Sequence, residues 1–330
     1  MPPCSSPVTS RRHYRPWSAC SMPCKKRRSS AFNYYTKGKC LMRINKRAVA
    51  LAFGAALLSS LGNASERLVT LGGDVTEIVF ALGAGDRVVA VDSSSVSPPK
   101  VRQLLQLGYL RALSAEGVLS VSADRIIANA DIGPPAVKQQ ILAAGQQLEL
   151  VEATPTPEQL YDKIRRLASL LGTVAAGDDI IAALKADFAA LAERRQRLSH
   201  RPGVLFVMNH GGGAPMIAGR NTAADSMIQL MGGRNVADAI RAYKPMTAEA
   251  LVNAAPDWIV VTDQGLEQFG GVDGLLRQPG MALTPAAESR RILSMDALLL
   301  LGFGPRTADA ATTLFNALHG ESENDAQRDY

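Results

Sequence analysis

Two kinds of apolar pattern alternate along the first half of this chain, and they predict its elements. Arg67-Leu68-Val69-Thr70-Leu71 is a compact apolar run of strand length. Gly72-Gly73-Asp74 follows it. Val75, Ile78, Val79 and Leu82 then recur at the spacing of one helix face, with Asp74 placed as a cap and Gly83 and Gly85 as terminators. Residues 87–91 form the next strand. A polar loop with Ser93-Ser94-Ser95 and Pro98-Pro99 leads to Ser114, which is placed to cap a helix over 115–119. A strand over 125–128, a helix over 136–144 and a strand over 147–151 complete the run. Strands and helices in this alternation predict a parallel α/β lobe.

From 157 to 198 the period becomes helical, with breaks near Gly172 and Gly177. Thr156 and Glu158 cap the first piece. The second carries Ile180, Ile181, Leu184, Phe188 and Leu191, and a helix over 178–198 would be about 30 Å long, suited to a strut between lobes. The first pattern then returns: a strand over 204–208, a glycine-rich loop at His210-Gly211-Gly212-Gly213, and a helix over 221–230. A last helix is expected over 307–318.

An internal repeat supports two related lobes. Ser114-Ala115-Glu116 matches Thr247-Ala248-Glu249, and Asp124 before Ile126-Ile127 matches Asp257 before Ile259-Val260, at a common offset of 133 positions. The expected organisation is an N-terminal lobe at 65–155, a helical strut at 156–200, a C-terminal lobe at 201–320 and a disordered tail at 321–330.

Charge first misleads, then informs. The chain has a formal net charge of +6, which alone would point to nucleic acid or an acidic surface. Yet twelve of the 36 Lys and Arg, and none of the 30 Asp and Glu, precede residue 65. Residues 65–330 therefore carry 24 basic against 30 acidic residues, a mildly acidic body with no nucleic-acid footprint. All four cysteines (Cys4, Cys20, Cys24, Cys40) also precede residue 65. Cys20 and Cys24 have zinc-ligand spacing, but no second ligand pair follows. Residues 42–64 account for the asymmetry: Arg43, Lys46 and Arg47, then an apolar run over 48–61, then Gly62-Asn63-Ala64 as a small-x-small cleavage site. This is a secretory signal peptide, so the expected location is periplasmic. Residues 1–41 read as a mis-assigned or disordered basic leader ahead of a start at Met42.

The candidate chemistry is sparse. There is no G-x-S-x-G, no H-E-x-x-H and, beyond residue 65, no cysteine nucleophile, so the chain is not expected to be an enzyme. Tyr109 stands two residues before Arg111 at the edge of the first lobe. His210 opens the glycine-rich loop at the comparable edge of the second. A deprotonated tyrosine is a hard ligand for ferric iron, a neighbouring cation favours that form, and phenolate with imidazole suits ferric haem. Arg220, Lys244 and Arg306 are candidates for the two propionates. Met216, Met246 and Phe303 are candidates for the ring.

Four segments carry a family resemblance: Gly108-Tyr109-Leu110-Arg111-Ala112-Leu113-Ser114-Ala115-Glu116-Gly117, Asn209-His210-Gly211-Gly212, Ala218-Gly219-Arg220-Asn221-Thr222-Ala223-Ala224-Asp225 and Gly302-Phe303-Gly304-Pro305-Arg306. With them the chain resembles, over about 68–318, the periplasmic haem-binding proteins of bacterial haem-import ABC transporters, within the wider cluster of siderophore and cobalamin binders. The resemblance implies an α/β fold of two Rossmann-like lobes with parallel central sheets, bridged by a single long α-helix. It implies Tyr109 as the haem iron ligand, Arg111 as the residue that polarises it, and His210 as a second ligand or the holder of a second, stacked haem. It also implies Glu116 and Glu249 as docking residues, one per lobe, for an ABC permease working with its ATPase. Haem would be transported ligand, the protein a monomer. A siderophore or cobalamin binder on the same scaffold is the alternative.

Overall fold

The computed structural model describes residues 65–152, 155–209, 215–245 and 247–325. The expected leader and signal peptide, His210 and Met246 lie outside the described residues.

The first lobe is built from β1 (Leu68–Leu71), α1 (Gly73–Ala81), β2 (Val88–Val91), β3 (Leu105–Gln106), α2 (Ala115–Leu119), β4 (Arg125–Asn129), α3 (Pro135–Ala143) and β5 (Leu148–Val151). Its sheet runs β3-β2-β1-β4-β5 and every pairing is parallel. Alternate residues of each strand serve opposite faces, as the period-two pleat requires. Val69, Leu71, Ile126 and Ala128 pack with Val118 of α2 and Val137 and Ile141 of α3. Leu68, Val91 and Ile127 face the other way, into a cluster with Ile78 and Val79 of α1. Asp74 is not the expected cap. Gly72, at φ 115°, precedes the helix, and Asp74 lies within its first turn, buried and paired with Lys163.

Two helices follow, α4 (Pro157–Leu171) and α5 (Val174–Gln196). Thr156 caps α4 as expected, accepting from the Gln159 N–H at 3.3 Å, and left-handed Gly172 ends it. The strut α5 starts earlier than the sequence pattern indicates and, at 23 residues, is about 35 Å long. Gly177 lies inside it rather than breaking it. A Cβ there would stand 2.6 Å from Ala168 Cβ, so this glycine lets α4 and α5 approach closely.

The second lobe comprises β6 (Gly203–Met208), β7 (Met216–Ala218), α6 (Ala223–Leu230), β8 (Arg234–Asn235), β9 (Tyr243–Pro245), α7 (Ala248–Ala254), β10 (Trp258–Thr262), α8 (Asp263–Gln268), α9 (Gly271–Leu276), α10 (Pro285–Glu288), β11 (Ile292–Met295), α11 (Ala297–Leu301) and α12 (Thr307–Asp325). Its sheet runs β11-β10-β6-β7-β9, with β8 also on β6. Strands β6, β10 and β11 are parallel, whereas β7 is antiparallel to both β6 and β9. The second sheet is thus mixed where the sequence indicated a parallel one. The last helix runs past the expected residue 318 to Asp325.

One apolar cluster passes through both lobes. It joins Leu160, Ile164 and Leu167 of α4 to Leu184, Phe188 and Leu191 of α5. It then continues into Phe206, Ile228, Leu314 and Phe315 of the second lobe. The strut therefore shares its buried face with each sheet.

Candidate functional site

In α/β sheets, ligands bind outside the carboxyl ends of the parallel strands. In the first lobe that edge carries the loops after β1, β2, β3 and β4. Gly108, at φ 96°, turns the chain after β3, and its carbonyl accepts from the Ser93 N–H at 2.8 Å. A tight turn follows, closed by the Ala112 N–H on the Tyr109 carbonyl at 2.8 Å. Leu110 and Leu113 enter the core, and two backbone bonds between this turn and Gly133 hold it in place: Leu113 N–H to the Gly133 carbonyl at 2.9 Å and Gly133 N–H to the Leu110 carbonyl at 3.0 Å. The other side chains of the turn, Tyr109, Arg111 and Ala112, face outward. Tyr109 is 45% exposed, and Arg111 is exposed beside it.

Arg111 donates from Nη1 to the Tyr109 oxygen at 3.1 Å and from Nη2 to Asp131 Oδ2 at 3.2 Å. Partial burial works against the Arg111 charge. The bond to Tyr109, together with the Tyr109 and Asp131 oxygens nearby, outweighs it and raises the pKa above its ordinary value, so the group stays cationic. Asp131, which the sequence did not single out, is itself anchored. Its backbone N–H donates to Asn129 Oδ1 at 2.9 Å, and the Asn129 amide donates to both Asp74 oxygens, at 3.2 and 3.4 Å. Lys163 of α4 completes the array at 2.7 Å from Asp74 Oδ2.

In the second lobe the carboxyl end of β6 meets the start of β7. Met208 pairs with Met216, which pairs in turn with Pro245, so half-buried Met216 stands at the ligand edge. The segment from Ala218 to Asp225 is chiefly architectural. Thr222 caps α6, accepting from the Asp225 N–H at 3.0 Å, and Asp225 accepts from the Asn221 N–H and the Asn235 amide. Gly219 lies against Ile240, where a Cβ would stand 2.4 Å from the carbonyl oxygen. That close approach bridges Arg220 to Arg241. Arg220, Arg241 and Lys244 are exposed, and none has a carboxylate partner among the described residues.

Tyr243, which the sequence did not single out, also lies within reach of the Arg111 charge. It opens β9, half-buried, with its ring edge-on to Phe206. Burial pushes its pKa up. Hydrogen bonds from Thr222 and the Ala224 backbone, and the nearby Arg111 charge, only partly oppose this, so the phenol stays protonated at neutral pH. Arg111 thus acts on tyrosines from both lobes. The internal repeat held the signal: Tyr243 lies 134 positions after Tyr109, one from the common offset.

Phe303 and Arg306, both expected as ligand contacts, have partners within the fold. Phe303 is 1% exposed and belongs to the shared core, with its backbone left-handed at φ 50°. Arg306 is half-buried and has a carboxylate partner. Its Nε is bonded to Glu77 Oε1 of α1, and that bond, offset in part by burial, holds its pKa above the ordinary value. Glu116 and Glu249 are both exposed in the first turns of α2 and α7, whose caps Ser114 and Thr247 accept from the Gly117 and Ala250 N–H groups. A groove of about 720 Å³ opens between α2 and α3 on the Glu116 side and does not include Tyr109.

A family model described as periplasmic binding protein matches residues 68–298. The periplasmic heme-binding protein RhuT from Roseiflexus sp. RS-1, in apo form, is 45% identical. The match covers 78% of this chain and 99% of that one, with a TM-score of 0.75. The periplasmic heme-binding protein BhuT, in complex with two hemes, is 39% identical over 77% of this chain and 98% of its own, with a TM-score of 0.73. At lower similarity, the uncharacterized ABC transporter substrate-binding lipoprotein YvrC of Bacillus subtilis is 24% identical over 261 residues, 78% of this chain and 81% of its own.

Proposed function

The chain belongs to the periplasmic binding protein family, and from that premise we propose that it captures ferric haem between its lobes and delivers it to an ABC importer. The observation that carries this reading is the permanently charged Arg111 guanidinium held 3.1 Å from the oxygen of half-exposed Tyr109 at the ligand edge. A guanidinium so placed donates to the tyrosine oxygen and orients it, and a tyrosine oxygen is a hard donor that ferric iron takes well. The likeness to RhuT and BhuT, both named heme-binding, supports the same ligand.

In this reading Tyr109 binds the iron and Arg111 orients the phenolate. Arg220, Lys244 and the adjacent Arg241 are cations awaiting an anion, and the two propionates of haem supply one. Met216 and the neutral Tyr243 phenol face the ring from the second lobe. His210 would add a second iron ligand or hold a stacked haem, and Met246 a further ring contact. The role is binding and release, without chemistry on the haem. Glu116 and Glu249 dock, one from each lobe, onto cationic groups of the permease that its ATPase drives. Export by the segment 42–64 brings the mature protein, a monomer, to the periplasm.

A ligand panel tests the reading. Residues 65–330 titrated with ferric haem are expected to saturate with the visible bands of a high-spin ferric phenolate complex, and to bind a ferric siderophore and cobalamin far more weakly. Tight siderophore or cobalamin binding, with a haem spectrum unchanged by the protein, would contradict it.

A further inference from the structure

We propose that Asp131 is a positioning residue for the ligand site. It fixes the Arg111 guanidinium so that its other arm meets the Tyr109 oxygen. The inference rests on Tyr109 being the iron ligand. It begins from an ion pair that stability does not explain. Arg111 and Asp131 side chains are each 55% exposed, and exposed pairs of this kind add little to stability. The geometry gives the pair another purpose. Arg111 and Tyr109 share one short turn, so any movement of the turn carries both residues and offers no fixed reference for the guanidinium. An arginine side chain also has many rotamers to lose. Asp131 belongs to a different segment, just past β4, and supplies that reference.

The reference is rigid because of what lies behind it. Asp131 N–H is tied to Asn129 Oδ1 at 2.9 Å, and Asn129 is tied to Asp74. Asp74 is paired with Lys163, with side chains only 9% and 1% exposed. The array spans the end of β4, the first turn of α1 and the middle of α4, three elements fixed by the core. Arg111 is forked between the outermost member of that array and the tyrosine. Its planar guanidinium makes the two bonds interdependent: placing Nη2 on Asp131 sets where Nη1 points.

A double-mutant cycle on the mature protein tests this, read by the haem dissociation rate and the phenolate-to-iron charge-transfer band. Asp131→Ala is expected to raise the dissociation rate about three- to tenfold and to move the band in the same direction as Arg111→Ala. In an Arg111→Ala background, Asp131→Ala should then change neither quantity. Asp131→Asn keeps an oxygen for Arg111 and should stay close to wild type. Additive effects of the two alanine variants would overturn the proposal, as would an Asn variant that behaves like Ala, since charge alone would then be the cause. Tyr109→Phe, run in parallel, separates the two levels. If it removes the band while Asp131→Ala alters nothing, only the role of Asp131 fails. If it leaves the band intact, the reading of the site fails with it.

Discussion

Lys163 carries its charge in the interior of the first lobe, 1% exposed and 2.7 Å from Asp74. Asp74 also accepts from Asn129, so the carboxylate is compensated on two sides. Lys163→Met removes the cation and leaves that carboxylate buried. The expected loss is about 3–5 kcal/mol of unfolding free energy in a urea titration. Adding Asp74→Asn should recover much of it, because breaking such a pair costs more than replacing it. The pair also marks where single-residue reading ends. Gly72-Gly73-Asp74 before an apolar helix looks like a cap, and the local rule is sound. Nothing local announces a lysine 89 positions later that claims the carboxylate instead. The core contacts of Phe303 and the Glu77 partner of Arg306 were hidden for the same reason: nothing beside a loop aromatic or a loop arginine announces them. Tyr109 and Arg111 were legible because two residues and one turn define their relation.

At the scale of elements, the duplicated Ser/Thr-Ala-Glu and Asp signals prove physical. Ser114 and Thr247 cap their helices through the same bond. Asp124, ahead of β4, accepts from the Arg67 N–H at 2.7 Å, and Asp257, ahead of β10, accepts from the Gly203 N–H at 2.6 Å. Each aspartate thus secures the entry of the central strand that pairs with the strand it precedes. Glu116 and Glu249 inherit equivalent, exposed places from this arrangement. Replacing both with Ala removes only a favourable first-turn charge from each helix, worth well under about 1 kcal/mol apiece at an exposed site. Haem affinity should be unchanged while uptake through the reconstituted importer falls. A lost haem affinity would put the glutamates in the ligand site instead. Most strands and helices were readable because their periods differ. The antiparallel β7 and β9 were not, since three residues per strand beside a glycine-rich loop carry no period.

Across the whole molecule, the lobes are tied at more than the strut. The shared apolar cluster runs beneath both sheets, Arg306 reaches Glu77 in the first lobe, and Gly73 packs so tightly under Leu298 that a Cβ would stand 2.9 Å from its Cδ1. The motif Gly302-Phe303-Gly304-Pro305-Arg306 therefore forms a joint between lobes. Two lobes and a long helix were legible from periodicity and repeat. The joint was not, because its contacts span most of the chain. What this frame presents at the carboxyl edge of the first sheet is Tyr109, backed by Arg111 and Asp131. The central claim is that Tyr109 binds haem iron, and the most direct test is the visible spectrum of ferric haem added to the wild type and to Tyr109→Phe. The wild type should develop the high-spin phenolate bands, and Tyr109→Phe should lack them and retain haem poorly. A Tyr109→Phe variant with wild-type bands and wild-type affinity would contradict the account.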